Sequence, residues 1–236
     1  IGGAVEAVWE NREAVALGFA YTVLLFVIAG IGSMIWGTIL AAMRVGPIPA
    51  LRWAGTLYVS LVRNTPLLLI LFFFRFAAPK ADIKFDFIDV VIPTTVGDIR
   101  LNNIFTACTV GLIVYTSAFV CEAIRSGINA VPLGQAEAAR AIGLPFAGVM
   151  GQIVLPQALR ASVPPLTSVQ IALLKNTTVA GALSVAEAFS IMRLLTNDHA
   201  SARIEIFIVF AIIFVVLVEV VSFVGIRFER KWRVAT

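Results

Sequence analysis

Long uncharged apolar runs restrict the fold of this sequence more than any other feature. Residues 14–43 contain no charged side chain, and neither do residues 101–121. A membrane hydrocarbon core about 30 Å thick needs roughly 20 apolar residues for each helical crossing. Charged residues make up only 14% of the chain, against about 25% in soluble domains. The sequence therefore predicts an integral membrane protein and excludes an ordinary soluble enzyme.

The apolar runs predict an all-α protein with about five transmembrane helices in one domain that covers residues 1–236. The predicted spans are 15–43, 57–78, 101–121, 163–183 and 206–226. The segment from Pro79 to Arg100 is expected to be a polar loop with a short interfacial part. Residues 126–162 mix charged, small and apolar residues with prolines, and they predict short helices outside the bilayer.

Basic residues set the predicted orientation, because positive charge concentrates on the cytoplasmic side of membrane proteins. Five crossings place the two chain ends on opposite sides. With the tail inside, the cytoplasmic segments carry Arg44, Arg52, Arg125, Arg140, Arg160, Arg227, Arg230, Lys231 and Arg233. The reverse orientation leaves a smaller basic set inside. We therefore expect a multi-pass protein of the cytoplasmic membrane with an external N-terminus and a cytoplasmic C-terminus.

The loop 126–162 contains a predicted short helix that is rich in alanine. Pro132 and Gly134 precede the helix, and Glu137 lies near its positive end. Gly143, just before Pro145, predicts a helix stop because glycine can adopt a positive φ. The small side chains make the helix narrow, so the backbone of another protein can approach it closely.

The spacing in this loop resembles the coupling loop of bacterial ABC import permeases. That pattern is Glu-Ala-Ala, three residues, Gly, and then a hydrophobic stretch that ends in Leu-Pro. The resemblance implies that an ATPase partner docks here, and the alternative is a chance Ala-rich interfacial helix. The residues that it assigns to coupling are Gly134, Glu137, Ala138, Ala139, Arg140, Gly143, Leu155 and Pro156.

Three further segments are similar to the polar amino acid branch of this family, nearest to the permeases of actinobacterial glutamate importers. They are Val62–Leu67, Tyr115–Phe119 with Glu122 and Arg125–Gly127, and Ala172–Thr178. The similarity to the glutamate type is carried by Met43–Val45, Arg125–Asn129 and Lys175–Thr178. The resemblance implies the type I importer permease fold and transport of a polar amino acid, with glutamate first and glutamine or arginine as alternatives. An autonomous secondary carrier is a further alternative, although the sequence has no convincing internal repeat.

The resemblance also implies a set of partners. These are two cytoplasmic ATP-binding subunits, a second and non-identical permease subunit, an external amino acid binding protein and membrane lipid, with no nucleic acid. The chain contains no Gly-x-x-x-x-Gly-Lys-Ser/Thr loop, so ATP and Mg are expected in the partner ATPase and no cofactor in this chain. The lone His199 predicts no metal site.

Lys175 lies inside the fourth predicted span, where a charge costs about 2.5 to 3.5 kcal/mol unless it has a partner or faces water. One interpretation places it in the translocation pathway, and the other pairs it with Glu187 or Glu122 or lets it snorkel to an interface. The neutral Asn176 beside it favours an anionic substrate. Arg75 is expected to snorkel and is left out of the pathway. The predicted pathway residues are Lys175, Asn176, Thr177, Thr178, Arg63, Asn64 and Glu122.

Pro66 restricts the chain beside Arg63 and leaves two interpretations open. Either the second span is a broken helix at the pathway, or Arg63 is simply a cytoplasmic anchor and Pro66 is the first-turn proline of the span.

Overall fold

The computed structural model describes residues 2–232 as a helical bundle with one β-hairpin. The elements before the hairpin are α1 (Gly2–Glu10), α2 (Arg12–Val45), α3 (Pro49–Arg63), α4 (Leu67–Phe72), a π-helical segment (Phe73–Ala77) and α5 (Ala78–Lys80). The hairpin strands are β1 (Val90–Thr94) and β2 (Gly97–Leu101). The later elements are α6 (Asn103–Asn129), α7 (Leu133–Ala141), α8 (Phe146–Gly148), a second π-helical segment (Val149–Val154), α9 (Leu155–Asn176), α10 (Thr178–Gly181), α11 (Ala188–Asp198), a 3₁₀ turn (Ala200–Ala202) and α12 (Arg203–Trp232). Arg233, part of the predicted basic tail, lies outside the described residues.

Within residues 2–232, three helices are long and apolar enough to cross a membrane: Arg12–Val45, Asn103–Asn129 and Ala200–Arg230. The first and fifth predicted spans lie inside the first and last of these helices, whereas the third, 101–121, begins two residues too early because Leu101 belongs to the hairpin strand β2. Each helix continues past the C-terminal limit of its predicted span because polar residues extend it beyond the apolar stretch.

The second predicted span, 57–78, is wrong as a continuous helix. The chain is helical from Pro49 to Arg63 and from Leu67 to Lys80, and the two parts meet at an angle of 105°. Pro66 lacks an N–H group and disfavours helical geometry at Thr65. The chain is therefore bent at this point, and Pro66 lies immediately before the first turn of α4, so the structure agrees with a break and with a proline at the helix start.

The fourth predicted span, 163–183, differs from the helix in the structure at both ends. α9 begins at Leu155 and ends at Asn176, so its 22 residues extend about 33 Å. That length suffices for a crossing, but Gln170, Lys175 and the prolines inside the helix make α9 less apolar than the other spans. α9 packs against α6 and α12, and these apolar helices shield part of its surface.

Close helix packing holds the bundle together at small residues. A Cβ on Gly37 of α2 would lie 2.5 Å from the Val120 side chain of α6, and one on Gly127 of α6 would lie 2.0 Å from Ser162 Oγ of α9. Larger residues at these positions would separate the helices. Between them, Leu25, Leu112 and Leu173 form a buried core across α2, α6 and α9.

The segment expected to be a polar loop contains the antiparallel hairpin β1–β2, in which Val90 pairs with Leu101 and Thr94 with Gly97. Ile99 and Leu101 of β2 are buried, whereas β1 is exposed along its length. Tyr21 of α2 fixes the hairpin, because its hydroxyl accepts a 2.6 Å hydrogen bond from the Arg100 backbone N–H. The packing of β2 on the bundle explains why this segment is ordered rather than a simple loop.

Candidate coupling surface and translocation pathway

The short helix α7 has a defined start and stop. It follows Pro132 and ends at Ala141. Gly143 has φ of +90°, and its N–H donates to Arg140 O at 2.9 Å while Leu144 N–H donates to Ala139 O at 3.1 Å. These two bonds form a Schellman motif, which requires the left-handed conformation that glycine adopts without strain. The predicted helix stop at Gly143 is confirmed.

One side of α7 is anchored to the chain. Ala139 is buried with Val131, Val149, Val154 and Ala158 in a small apolar cluster, and the Gln157 side chain of α9 donates to Gln135 of α7. The second π-helical segment links α7 and α8 to α9. A displacement of α7 would therefore be transmitted directly to α9.

The opposite side of α7 is uncovered. Leu133 is 78% exposed and Ile142 is 82% exposed, and Phe146 of α8 is exposed nearby in sequence. Glu137 and Arg140 on this helix are also exposed. Apolar side chains that protrude among charged ones are typical of a protein interaction surface.

The residues assigned to coupling occupy two elements in the structure. Residues 134–143, which include Glu137, Ala138 and Arg140, lie on or beside α7. A Cβ atom added at Gly134 or Gly143 would have no other atom within 4 Å. Leu155 and Pro156 instead lie where the second π-helical segment continues into α9.

A four-residue charge cluster joins the neighbouring ends of α2, α3 and α6. Glu122 of α6 pairs with Arg44, with Arg63 at 3.5 Å and with Arg125 at 3.4 Å. The Arg44 side chain is only 10% exposed, whereas that of Glu122 is 31% exposed and that of Arg63 is 47% exposed. Glu122 is thus the one carboxylate in this cluster for three guanidinium groups. It binds Arg63 at the end of α3, just before the bend between α3 and α4.

Asn176 lies in the wall of a groove of about 230 Å³ between α6 and α9. The groove is lined by Tyr115, Thr116, Phe119, Ser168, Val169, Ala172, Leu173 and Asn176. The Arg63 guanidinium lies 5.8 Å from the Phe119 ring, so Arg63 reaches the same aromatic residue from the side of the charge cluster. Asn64 only caps α3, where its side chain donates to Ser60 O at 2.8 Å.

Lys175, Thr177 and Thr178, the other predicted pathway residues nearby in sequence, do not line the Asn176 groove. Lys175 and Thr178 line a second groove, of about 400 Å³, with Phe214, Val215, Val218 and Glu219 of α12. Thr177 is fully buried, and its hydroxyl donates to Leu174 O at 2.7 Å. Within residues 2–232 Lys175 forms no ion pair with Glu122 or Glu187, so the structural pairing considered for it is not present.

Glu187 has a different role, since its fully buried carboxylate caps α11. It accepts hydrogen bonds from Phe189 N–H at 3.0 Å and Ser190 N–H at 2.9 Å. Burial raises the pKa of Glu187 to about 7, against the opposing effect of these bonds. Glutamate is not among the residues preferred at an N-cap, so sequence reasoning does not reveal this role of Glu187.

Sequence reasoning missed side chains that complete the Asn176 groove and the charge cluster around Glu122. Tyr115 and Phe119 are one helical turn apart, as a shared face requires, but nothing in the sequence predicts that this face meets Ser168. Arg44 was interpreted only as a topology signal, and the structure shows it as the most deeply buried partner of Glu122.

Comparison with known proteins finds similar chains among the membrane components of transport systems. The family model described as binding-protein-dependent transport system inner membrane component matches residues 33–234. The chain is 44% identical to the glutamate transport system permease protein GluC of Corynebacterium efficiens, over 84% of this chain and 85% of the relative. It is 41% identical to GluC of Corynebacterium glutamicum over the same shares of the two chains. A crystal structure of an amino acid ABC transporter with histidines matches with a TM-score of 0.80 and 26% identity, over 96% of this chain and 97% of that chain.

Proposed function

This chain belongs to the family of binding-protein-dependent transport system inner membrane components, and from this membership we propose that it is the permease subunit of an ABC importer for glutamate. The identity of 44% to a glutamate transport permease supports this substrate. Glutamine and arginine importers are the alternatives within the family.

The uncovered side of α7 is the observation that carries the proposal. A helix that is anchored to α9 on one side and presents Leu133, Ile142 and Glu137 on the other is suited to receive a force from a docked protein. We assign this role to two cytoplasmic ATP-binding subunits, which hold ATP and Mg. Their closure moves α7 and, through the π-helical link, α9, which lines both grooves. This is alternating access by rigid-body motion.

The topology in the proposal has five crossings with α9 as the fourth, an external N-terminus and a cytoplasmic tail. The charge cluster around Glu122 and the helix α7 then lie on the cytoplasmic side, and the β-hairpin lies outside. A second, non-identical permease subunit completes the pathway, and an external binding protein delivers the substrate.

The substrate pathway in the proposal passes the groove of Asn176 and the groove of Lys175. Lys175 forms no direct ion pair in the described part of the chain, although Glu219 of α12 lines the same groove. Neither Asn176 nor Thr178 adds a negative charge, and an ammonium group without a direct ion pair favours an anionic substrate over a cationic one.

The test is reconstitution of the complete importer in liposomes with each loaded binding protein in turn. We expect glutamate-loaded protein to increase ATP hydrolysis roughly tenfold over the basal rate, a difference of about 1.4 kcal/mol, and to cause uptake that requires ATP. Arginine-loaded protein is the control and should leave hydrolysis near its basal rate. Uptake by this chain without an ATPase would identify a secondary carrier, and equal stimulation by arginine and glutamate would contradict the assigned substrate.

A further inference from the structure

Arg75 is a positively charged residue at membrane depth, in the Leu67–Lys80 part of the bent second span. It lies in the π-helical segment Phe73–Ala77, and its Nε atom is buried without a hydrogen-bond partner. Its guanidinium group lies 5.0 Å from the Phe76 ring. Within residues 2–232 no carboxylate forms an ion pair with it, so an aromatic face is the main compensation for its charge.

The Arg75 side chain is on the side of its helix that faces α6. Leu71, one turn earlier, is fully buried, and its Cδ2 atom would lie 2.6 Å from a Cβ on Gly111 of α6. Phe74 and Ala78, on either side of Arg75 in the sequence, pack in one cluster with Ala107 and Val110 of α6. Arg75 is therefore directed into the bundle rather than toward the lipid, and its partly buried position limits snorkelling.

Arg75 lies about two helical turns along α6 from the residues that line the Asn176 groove. Cys108, which follows Ala107 in the sequence, and Tyr115 are seven residues apart on α6, which places them on one helix face about 10 Å apart along its axis. Tyr115 lines the groove that contains Asn176. In the proposed orientation, Arg75 lies two helical turns closer to the outside than this groove.

A charged residue at this depth needs a compensating partner, and π-helical segments occur frequently at functional sites. Arginine remains protonated and can bind a carboxylate with two parallel hydrogen bonds. We propose that Arg75 binds a carboxylate of the transported amino acid in the external half of the pathway. This inference rests on the proposed function and identifies an additional residue that selects an anionic substrate.

The experiment compares wild-type importer with Arg75→Gln, Arg75→Lys and the control Lys80→Gln in liposomes, with glutamate-loaded binding protein. Lys80→Gln removes an exposed positive charge five residues further along. For Arg75→Gln we expect a roughly tenfold fall in the maximal uptake rate, because a charge-assisted hydrogen bond is lost. The KM for loaded binding protein should stay the same, since Arg75 does not take part in docking of that protein. Arg75→Lys should recover part of the uptake, and Lys80→Gln should match wild type.

Uptake by Arg75→Gln within about twofold of wild type would overturn the inference and leave the proposed function intact. Loss of the second permease subunit from the purified Arg75→Gln complex would also overturn it, since Arg75 would then pair with that subunit. Absence of ATP-dependent glutamate uptake by the wild-type complex would overturn both proposals.

Discussion

Replacing Glu137 with lysine is expected to abolish ATP-driven transport while the helical bundle remains folded. Glu137 is exposed on the uncovered side of α7 and lies beyond its first turn, so the bundle itself should change in stability by no more than about 0.5 kcal/mol, as is usual for an exposed surface position. At a docked interface a reversed charge is much more costly, because truncating a buried charge pair alone costs about 2 to 5 kcal/mol. We expect transport to fall to about 1% of wild type or less, measured as uptake in liposomes.

The matched control for this charge reversal is Glu10→Lys, at an exposed glutamate on the opposite side of the proposed membrane. It should transport like wild type. Copurification of the ATPase separates the causes of a loss, since Glu137→Lys should yield folded permease with less bound ATPase. A Glu137→Lys complex that keeps its ATPase and its full uptake would contradict the docking role of α7.

Replacing Glu122 with alanine is expected to destabilise the permease by about 3 kcal/mol, the lower end of the range for breaking a buried ion pair. The change leaves Arg44, which is 10% exposed, without its carboxylate. It also leaves Arg63 and Arg125 beside Arg44 with no negative charge between them. The partial exposure of Glu122 moderates the effect. The measurement is the free energy of unfolding of the purified subunit in detergent.

The double variant Glu122→Met with Arg44→Met provides the control for this cluster. Removing both members of the pair leaves no deeply buried charge, since the remaining Arg63 and Arg125 side chains are 47% and 32% exposed. The double variant should therefore be more stable than Glu122→Ala. If Glu122→Ala unfolds at the same denaturant concentration as wild type, the cluster does not hold the ends of α2, α3 and α6 together.

The long apolar helices could be predicted because their signal is local. Residues 14–43 have no charge, and the structure has one helix from Arg12 to Val45. The end of α7 could also be predicted from the local sequence, since a glycine shortly before a proline, as at Gly143 and Pro145, mainly indicates a helix stop. In both cases a short stretch of sequence contains all of the physical cause.

The second span and the hairpin could not be predicted from local signals. A proline in an apolar run either begins a helix or breaks one, and the 105° bend at Asn64–Pro66 depends on how α3 packs against α2 and α6. The hairpin is stabilised by Tyr21, 79 residues earlier in the chain.

The predicted pathway residues of α9 do not line one common surface, for a geometric reason. Successive helical residues point about 100° apart, so Lys175, Asn176 and Thr177 cannot share one surface. The structure directs them to the α12 groove, the α6 groove and the buried core, respectively. The pairing of Glu122 with Arg44 joins residues 78 positions apart, and one sequence gives no indication of such a contact.

Site-specific crosslinking from position 137 tests the central claim, that α7 is the cytoplasmic docking helix for an ATPase. The chain's own Cys108 and Cys121 are both buried, so Glu137→Cys provides the reactive thiol. We expect this thiol to crosslink to the ATP-binding subunit in intact membranes and to resist a membrane-impermeant maleimide added outside. Labelling of position 137 from the external medium, without a crosslink to the ATPase, would contradict the account.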